Sequence, residues 1–134
     1  LGACKELLEL SVKYAKERKQ FNEPIANFQA VQFMLAEMAT LIYTVESLVY
    51  RTATSYDKGD MLSRQSAMVK LVSSEALDKC VDHAMQIHGG MGYSRELSIE
   101  RFYRDSRINR IFEGTSEIQK LVIARDVLKR NGNM

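Results

Sequence analysis

Apolar residues recur along this chain in alternating steps of four and three, the spacing of helices that bury one face. The longest run carries Val31, Leu35, Met38, Ile42, Val45, Val49, Thr52 and Tyr56, with Met34, Leu41 and Leu48 widening the stripe. It predicts one amphipathic helix from Phe28 to Lys58, on the order of 45 Å long at 1.5 Å per residue. Gly59-Asp60 ends it, and a second long helix is expected from Met61 to Ile87, with Met68, Val72, Ala76, Cys80, Ala84 and Ile87 on one face. The small residues of that face let another helix come close. A first helix from Ala3 to Arg18 and a last one from Ser116 to Arg130 complete four. In the last, Ile118, Leu121, Val122 and Leu128 supply the stripe, and Ser116 and Gln119 have capping-box spacing. With a shorter helix from Leu97 to Asp105, the expectation is an all-α fold, an antiparallel up-and-down four-helix bundle with one additional short helix.

Two stretches resist the helical pattern. In the segment 20–27, Asn22 tolerates a left-handed backbone and Pro24 fixes a turn. The run His88-Gly89-Gly90-Met91-Gly92-Tyr93 reads as a glycine-rich loop straight after a helix. No internal repeat, low-complexity tract or linker interrupts the chain, which therefore reads as one domain.

Composition agrees with that picture and excludes some functions. A single proline and no tryptophan in 134 residues disfavour a turn-rich β-sandwich. A formal charge of +2 is too small to imply a nucleic-acid or membrane partner. Cys4 and Cys80 lie far apart in sequence without neighbours at metal-ligand spacing, which points to a reducing compartment and unreactive thiols. Lys5 and Glu6 interrupt any signal-peptide pattern, and no apolar run approaches a membrane span.

The chemistry centres on Glu113, in Ile111-Phe112-Glu113-Gly114-Thr115-Ser116-Glu117. Gly114 breaks what precedes it and Thr-Ser-Glu reads as a helix start, so the carboxylate is expected on a short turn beside backbone N–H groups. Wedged against Phe112 it would lose hydration, gain a higher pKa and serve as a base; alternatively it is a favourable charge at a helix N-terminus. The Gly-Gly-x-Gly run would let backbone N–H groups approach a phosphate, but no strand precedes it as a dinucleotide fold requires, and a plain helix end explains it equally. Arg18 either stabilises a helix C-terminus or forks onto a phosphate. Arg101, Arg104, Arg107 and Arg110 wrap around a helix instead of lining one face, and Glu96, Glu100 and Asp105 are interleaved, so salt-bridged surface is favoured over nucleic-acid binding. His83 and His88 are five apart and fit no His-pair metal site, and no hydrolytic triad stands out.

Taken together, four linked segments closely resemble the C-terminal helical domain of the flavin-dependent acyl-CoA dehydrogenases. They are Tyr14-Ala15-Lys16-Glu17-Arg18-Lys19-Gln20-Phe21, Phe28-Gln29-Ala30-Val31-Gln32, Gln86-Ile87-His88-Gly89-Gly90-Met91-Gly92-Tyr93, and Tyr103-Arg104-Asp105 with residues 111–119. The resemblance implies that Glu113 takes the α-proton of an acyl-CoA thioester while the β-hydrogen leaves as hydride to FAD, giving a trans-2-enoyl-CoA. It implies an oxyanion contact from the Glu113 backbone N–H, and Gly114 as the place where the acyl chain passes close. It implies that Arg18, Gln20, Phe21, Gln29, Gln86, Gly89 and Gly90 contact an FAD held mainly by a neighbouring subunit, and that Thr115 and Glu117 touch the FAD of the same subunit.

A homo-oligomer, dimer or tetramer, follows from that sharing, with electron-transfer flavoprotein as acceptor and fatty-acid β-oxidation as the setting. The compartment implied is the cytoplasm of a bacterium or the mitochondrial matrix of a eukaryote. Asn22 replaces a glycine common in such proteins, with little expected effect. The N-terminal helical and middle β domains of that family are expected to be absent from these residues, so the fragment alone is expected to be inactive. Two other functions share the pattern: a catalytically silent helical module that self-associates, and an acyl-CoA oxidase that passes electrons to oxygen.

Overall fold

The computed structural model describes residues 1–131, with side chains through Lys129. Six helices follow in order: α1 (Gly2–Glu17), α2 (Gln29–Asp57), α3 (Ser63–His88), α4 (Gly90–Tyr93), α5 (Ile99–Arg107) and α6 (Ser116–Asn131). The four long ones match the predicted spans to within two residues at each end. Between α1 and α2 lies a two-residue hairpin, β1 (Lys19–Gln20) paired antiparallel with β2 (Glu23–Pro24), then a 3-10 turn over Ile25–Asn27. Phe21 and Asn22 at its tip have φ of 52° and 67°, the pair of left-handed residues that a tight two-residue hairpin loop demands. Asn22 thus occupies the region its sequence position predicted.

Side-chain pairs fix the directions of the helices. Lys5 reaches Glu46, so α1 runs against α2; His83 meets Glu37 at 2.9 Å, so α2 runs against α3. Arg64 to Asp126 at 3.1 Å and Glu75 to Lys120 at 3.7 Å set α6 against α3. The result is the expected up-and-down all-α bundle. Its centre is α3, which packs against α1, α2, α5 and α6. Ala76, Cys80, Ala84 and Ile87 are buried along it, so the small-residue face does bring other helices close. Leu7, Met38, Ile42 and Ile99 complete the core from α1, α2 and α5.

α2 ends in a Schellman motif: the Gly59 N–H bonds to the Tyr56 carbonyl, the Asp60 N–H to that of Ser55, and Gly59 has φ of 89°. α3 ends on Gly89, whose φ of 56° and ψ of −139° belong to glycine alone.

Several expectations need correction. The glycine run is not wholly loop, because Gly90–Tyr93 forms one further helical turn. The short helix runs from Ile99 to Arg107, two residues later than predicted, since Leu97 and Ser98 still belong to the approach. By length and composition α2 is apolar enough to cross a membrane; its Thr, Ser and Glu break any contiguous run, and its mean apolarity stays high. Cys4 and Cys80 share one buried core cluster as free thiols, since α1 and α3 pack side by side. The predicted α6 stripe is mostly uncovered: Ile118, Leu121 and Leu128 are exposed.

His88 closes the core under the start of α4. It is buried, stacked on Tyr14 with ring centroids 4.4 Å apart, and its Nδ1–H donates to the Ala84 carbonyl at 2.7 Å. Burial pushes its imidazole below the ordinary value, and the Ala84 bond only partly offsets that. The unfolded chain, with His near its free value of about 6.5, therefore binds the proton first, and stability falls as pH is lowered from about 6.5 toward the depressed folded value. Thermal unfolding between pH of about 7.5 and 5 should show a steeper acid loss for the parent than for His88→Asn. Parallel curves would remove His88 as the cause.

Candidate functional site

Of the predicted residues, Arg18, Gln20, Gly89 and Gly90 line one cleft and Glu113 another, each formed where a helix ends against α3. The first has a volume of about 450 Å³ and is lined by Tyr14, Arg18, Gln20, Ile25, Ile87, His88, Gly89, Gly90 and Met91. Arg18 arrives because α1 stops there in an extended conformation, and the Ile25 N–H bonds back to the Arg18 carbonyl at 2.9 Å. Four residues singled out from separate segments, Arg18, Gln20, Gly89 and Gly90, thus meet in one place. Gln86 is exposed one turn earlier on α3, and Gln29 is exposed at the start of α2; neither lines the cleft. Phe21 is 88% exposed at the hairpin tip, edge-on to Phe28 at 6.1 Å.

The glycines of this cleft do different jobs. A Cβ on Gly92 would come within 2.9 Å of the His88 Cβ and 3.1 Å of the Met85 carbonyl, so Gly92 lets α4 fold down onto α3. A Cβ on Gly90 would meet nothing within 4 Å. Packing inside the chain therefore does not explain Gly90, and the space beside it is open to a ligand.

The second cleft, about 200 Å³, is lined by Leu1, Lys70, Ser73, Ser74, Leu77, Asn109, Phe112 and Glu113. It lies against the middle of α3, about 20 Å from the first along the helix at 1.5 Å per residue. Glu113 has φ of 54° and Gly114 φ of 91°, two successive left-handed residues ahead of α6. Lys70 Nζ donates to the Gly114 carbonyl at 2.6 Å. Gln119 Nε2 donates to the Glu113 carbonyl at 3.2 Å and to the Gly114 carbonyl at 3.3 Å. Among the described residues the Glu113 N–H donates to no protein acceptor.

Two expectations about this turn are revised. The Glu113 side chain is exposed, so the loss of hydration expected from its neighbours is not supplied by this chain; Phe112 beside it is itself 45% exposed. The α6 cap is Thr115, whose Oγ1 accepts from the Ile118 N–H at 3.3 Å, and not Ser116, which is buried under the helix. Gln119 turns back to the turn carbonyls instead of completing a capping box. The Glu117 carboxyl is held below its usual range by its own backbone N–H and then by the Thr115 hydroxyl, as a helix N-terminus favours.

A third cleft, about 740 Å³ and larger than the other two, contains none of the predicted site residues. It lies between α2, α3 and α5, with Glu37, Asp78, His83, Tyr103 and Arg107 among its lining. Two of its three acids are engaged, Glu37 with His83 and Asp78 with Arg110 at 3.0 Å, whereas Asp82 makes no ion pair among the described residues. Arg104 pairs with Glu100 at 2.9 Å, so the arginine series is at least partly the salt-bridged surface expected of it. Among the described residues no three metal-ligating side chains come together. Lys70 and Gln119 are the two contributors to the turn that the sequence did not single out for this role, and Lys70 lies 44 positions upstream without a local signal.

A family model for the acyl-CoA dehydrogenase C-terminal domain matches residues 1–128. The 3-(aryl)acrylate reductase of Clostridium sporogenes is 47% identical over 129 residues, 96% of this chain and 34% of that protein. The NADH-dependent acryloyl-CoA reductase of Anaerotignum propionicum is 47% identical over 130 residues, 97% of this chain and 33% of its own length. The mitochondrial short-chain specific acyl-CoA dehydrogenase of Bos taurus is 45% identical over 129 residues, 96% and 31% of the two chains. Among solved structures, glutaryl-coenzyme A dehydrogenase with glutaryl-CoA superposes with a TM-score of 0.91 at 39% identity, covering 96% of this chain and 33% of that one. The FAD complex of PigA gives 0.92 at 34% identity, covering 96% and 34%. The chain belongs to the acyl-CoA dehydrogenase family and corresponds to its C-terminal domain. It spans about a third of the length of the relatives it matches.

The two neighbouring glycines separate packing from ligand space. Gly92→Ala is expected to lower stability by about 1–3 kcal/mol through overpacking, whereas Gly90→Ala should stay within about 0.5 kcal/mol of the parent. Chemical denaturation of both variants decides it; equal losses would contradict the distinction.

Proposed function

We propose that this chain is the base-bearing domain of a flavin-dependent enzyme acting on the α and β carbons of acyl-CoA thioesters. The observation that carries the reading is Glu113, exposed on the lip of a cleft, on a turn whose two carbonyls are held and whose own N–H is unused within the described chain. Its carboxylate takes the α-proton. Since a thioester α-proton is only weakly acidic, the carbonyl oxygen needs a donor as it becomes enolate-like, and the unused Glu113 N–H is suited to that role. The acyl chain would pass beside Gly114, where the place of the missing side chain is taken by the Gln119 amide.

The first cleft fits the phosphate-bearing part of FAD. It offers the Arg18 guanidinium, the Gln20 amide, and open space at Gly90 where a backbone can approach the ligand. Phe21, Gln29 and Gln86 flank it, while Thr115 and Glu117 stand beside the second cleft and would meet the FAD nearer Glu113. When bound, FAD supplies the two-electron acceptor for the hydride that leaves the β carbon. The separation of the clefts along α3 supports a cofactor shared between protomers of a homodimer or homotetramer. The uncovered Phe33, Tyr43 and Tyr50 of α2, and Ile118 and Leu121 of α6, support the same assembly. Reduced electron-transfer flavoprotein would be the product of turnover, within acyl-CoA oxidation in the bacterial cytoplasm or mitochondrial matrix.

The reductases among the relatives favour a second direction for the same site. There a protonated Glu113 would deliver the proton to the α carbon of an enoyl-CoA while hydride enters at the β carbon. Both directions need the same carboxyl group. Glu113→Gln in the intact protein should slow flavin reduction by acyl-CoA, or flavin reoxidation by enoyl-CoA, by about 10²- to 10⁴-fold with FAD content retained. Rapid-mixing absorbance under anaerobic conditions measures it, and undiminished rates in both directions would remove Glu113 as the base. Peroxide release in air distinguishes an oxidase. In sedimentation, a compact monomer of the intact protein at micromolar concentration would contradict the shared site.

A further inference from the structure

Two side chains from outside the Glu113 turn hold it, and they differ in kind. Gln119 is local, one turn into α6, and its single amide is divided between two carbonyls at 3.2 and 3.3 Å. Lys70 comes from the middle of α3 and delivers an ammonium to the Gly114 carbonyl at 2.6 Å, in a partly buried position. A charge-assisted bond of that length is stronger and more directional than the neutral pair. Among the described residues Lys70 makes no ion pair, so its charge is committed to the turn. It also lines the cleft onto which Glu113 opens.

Geometry makes this bond consequential. Glu113 holds φ of 54°, a region that a residue with a Cβ occupies only when its surroundings impose it. The direction of its Cα–Cβ bond is set by the peptide planes on either side of it; the following one carries the Glu113 carbonyl, bonded by Gln119, and the next carries the Gly114 carbonyl, bonded by Lys70 and Gln119. Lys70 therefore acts on Glu113 through Gly114, anchoring the far side of the turn, and releasing it leaves both carbonyls to one shared amide. Because α3 is the packed centre of the bundle, Lys70 also ties the turn to the element on which α1, α2, α5 and α6 are laid.

We propose that Lys70 is a positioning residue for Glu113: its ammonium, through the Gly114 carbonyl, anchors the turn that sets the carboxylate on the lip of the cleft against α3. The proposal rests on Glu113 being the base, and the experiment separates the two.

In the intact protein, Lys70→Met removes the donor at similar length, and Lys70→Arg retains a cationic one. Lys70→Met should lower the limiting rate constant of flavin reduction by about 10- to 100-fold, because small misplacements of a reacting group are costly. Its FAD content and dissociation constant for the thioester should stay within about twofold, and Lys70→Arg should recover most of the rate. In a Glu113→Gln background Lys70→Met should change nothing further, whereas a merely structural role would add its loss again.

A wild-type rate for Lys70→Met beside an impaired Glu113→Gln would overturn the Lys70 proposal alone. A wild-type rate for Glu113→Gln would overturn the base assignment itself. If Lys70→Met does not hold FAD, Lys70→Gln, a shorter neutral donor, decides: full rate overturns the proposal, and a rate loss at unchanged thioester affinity supports it.

Discussion

One helix carries the structure. α3 is the surface on which α1, α2, α5 and α6 are each laid, and it can serve all of them because Ala67, Ala76, Cys80 and Ala84 leave little bulk along its buried sides. Close helix approach maximises dispersion contacts per unit length, and a larger side chain at any of these places would push a neighbour away by more than the packing tolerates. The clefts follow from the same constraint. α1 is shorter than α3 and stops near its C-terminal end, opening the cleft at Arg18 and Gly89; α6 begins against its middle, opening the cleft at Glu113. Both candidate sites lie where partner helices end on a common support.

At the second of these ends local strain and tertiary support can be weighed. A non-glycine residue in the left-handed region costs roughly 1–2 kcal/mol, so Glu113 imposes about that much on the fold. A hydrogen bond involving a charged group returns about 1.5–3 kcal/mol, and a neutral one about 1. With Lys70 and Gln119 both engaged the support exceeds the strain, and with Gln119 alone the two are nearly equal. The turn is therefore stable as a consequence of α3 and not of its own sequence. Gly114 belongs to the same balance, since a Cβ there would fall 2.6 Å from the Gln119 amide.

Most of the fold was legible because helical periodicity, glycine stops and the Asn22 turn are local signals, each decided within a few residues. The four-helix order, the break at Gly59 and the left-handed Asn22 all follow from them. The misreadings have a common cause, dependence on contacts distant in sequence. Ser116 has the right spacing for a cap, but α3 buries it, and Thr115 takes the role. Cys4 and Cys80 look unrelated until α1 is laid beside α3. Lys70 carries no mark at all in sequence, because its partner is a backbone carbonyl 44 residues away. The Arg18 and Gly89 cleft was legible only as a set of motifs, and their meeting needed the hairpin that turns the chain back after α1.

The same reasoning explains why Glu113 looked more enclosed in sequence than it is. The base proposed here would need a water-poor setting, yet the Glu113 side chain of the described chain is exposed, and so are Phe112, Ile118 and Leu121. These apolar groups cannot dry the site among themselves; they need a surface laid over them. α2 presents a comparable uncovered face through Phe33, Tyr43 and Tyr50, although Glu37 and Glu46 of the same helix are tied by ion pairs to α3 and α1. A hydrocarbon environment would set those carboxylates at a heavy cost, whereas a protein surface accepts aromatic rings and hydroxyls together. The proposed assembly would account for the apolar composition of α2 as a buried protein contact. On the proposed reading, a surface laid over Phe112 and Ile118 would also remove water from Glu113, so that assembly would be a condition of the proton transfer and not an addition to it.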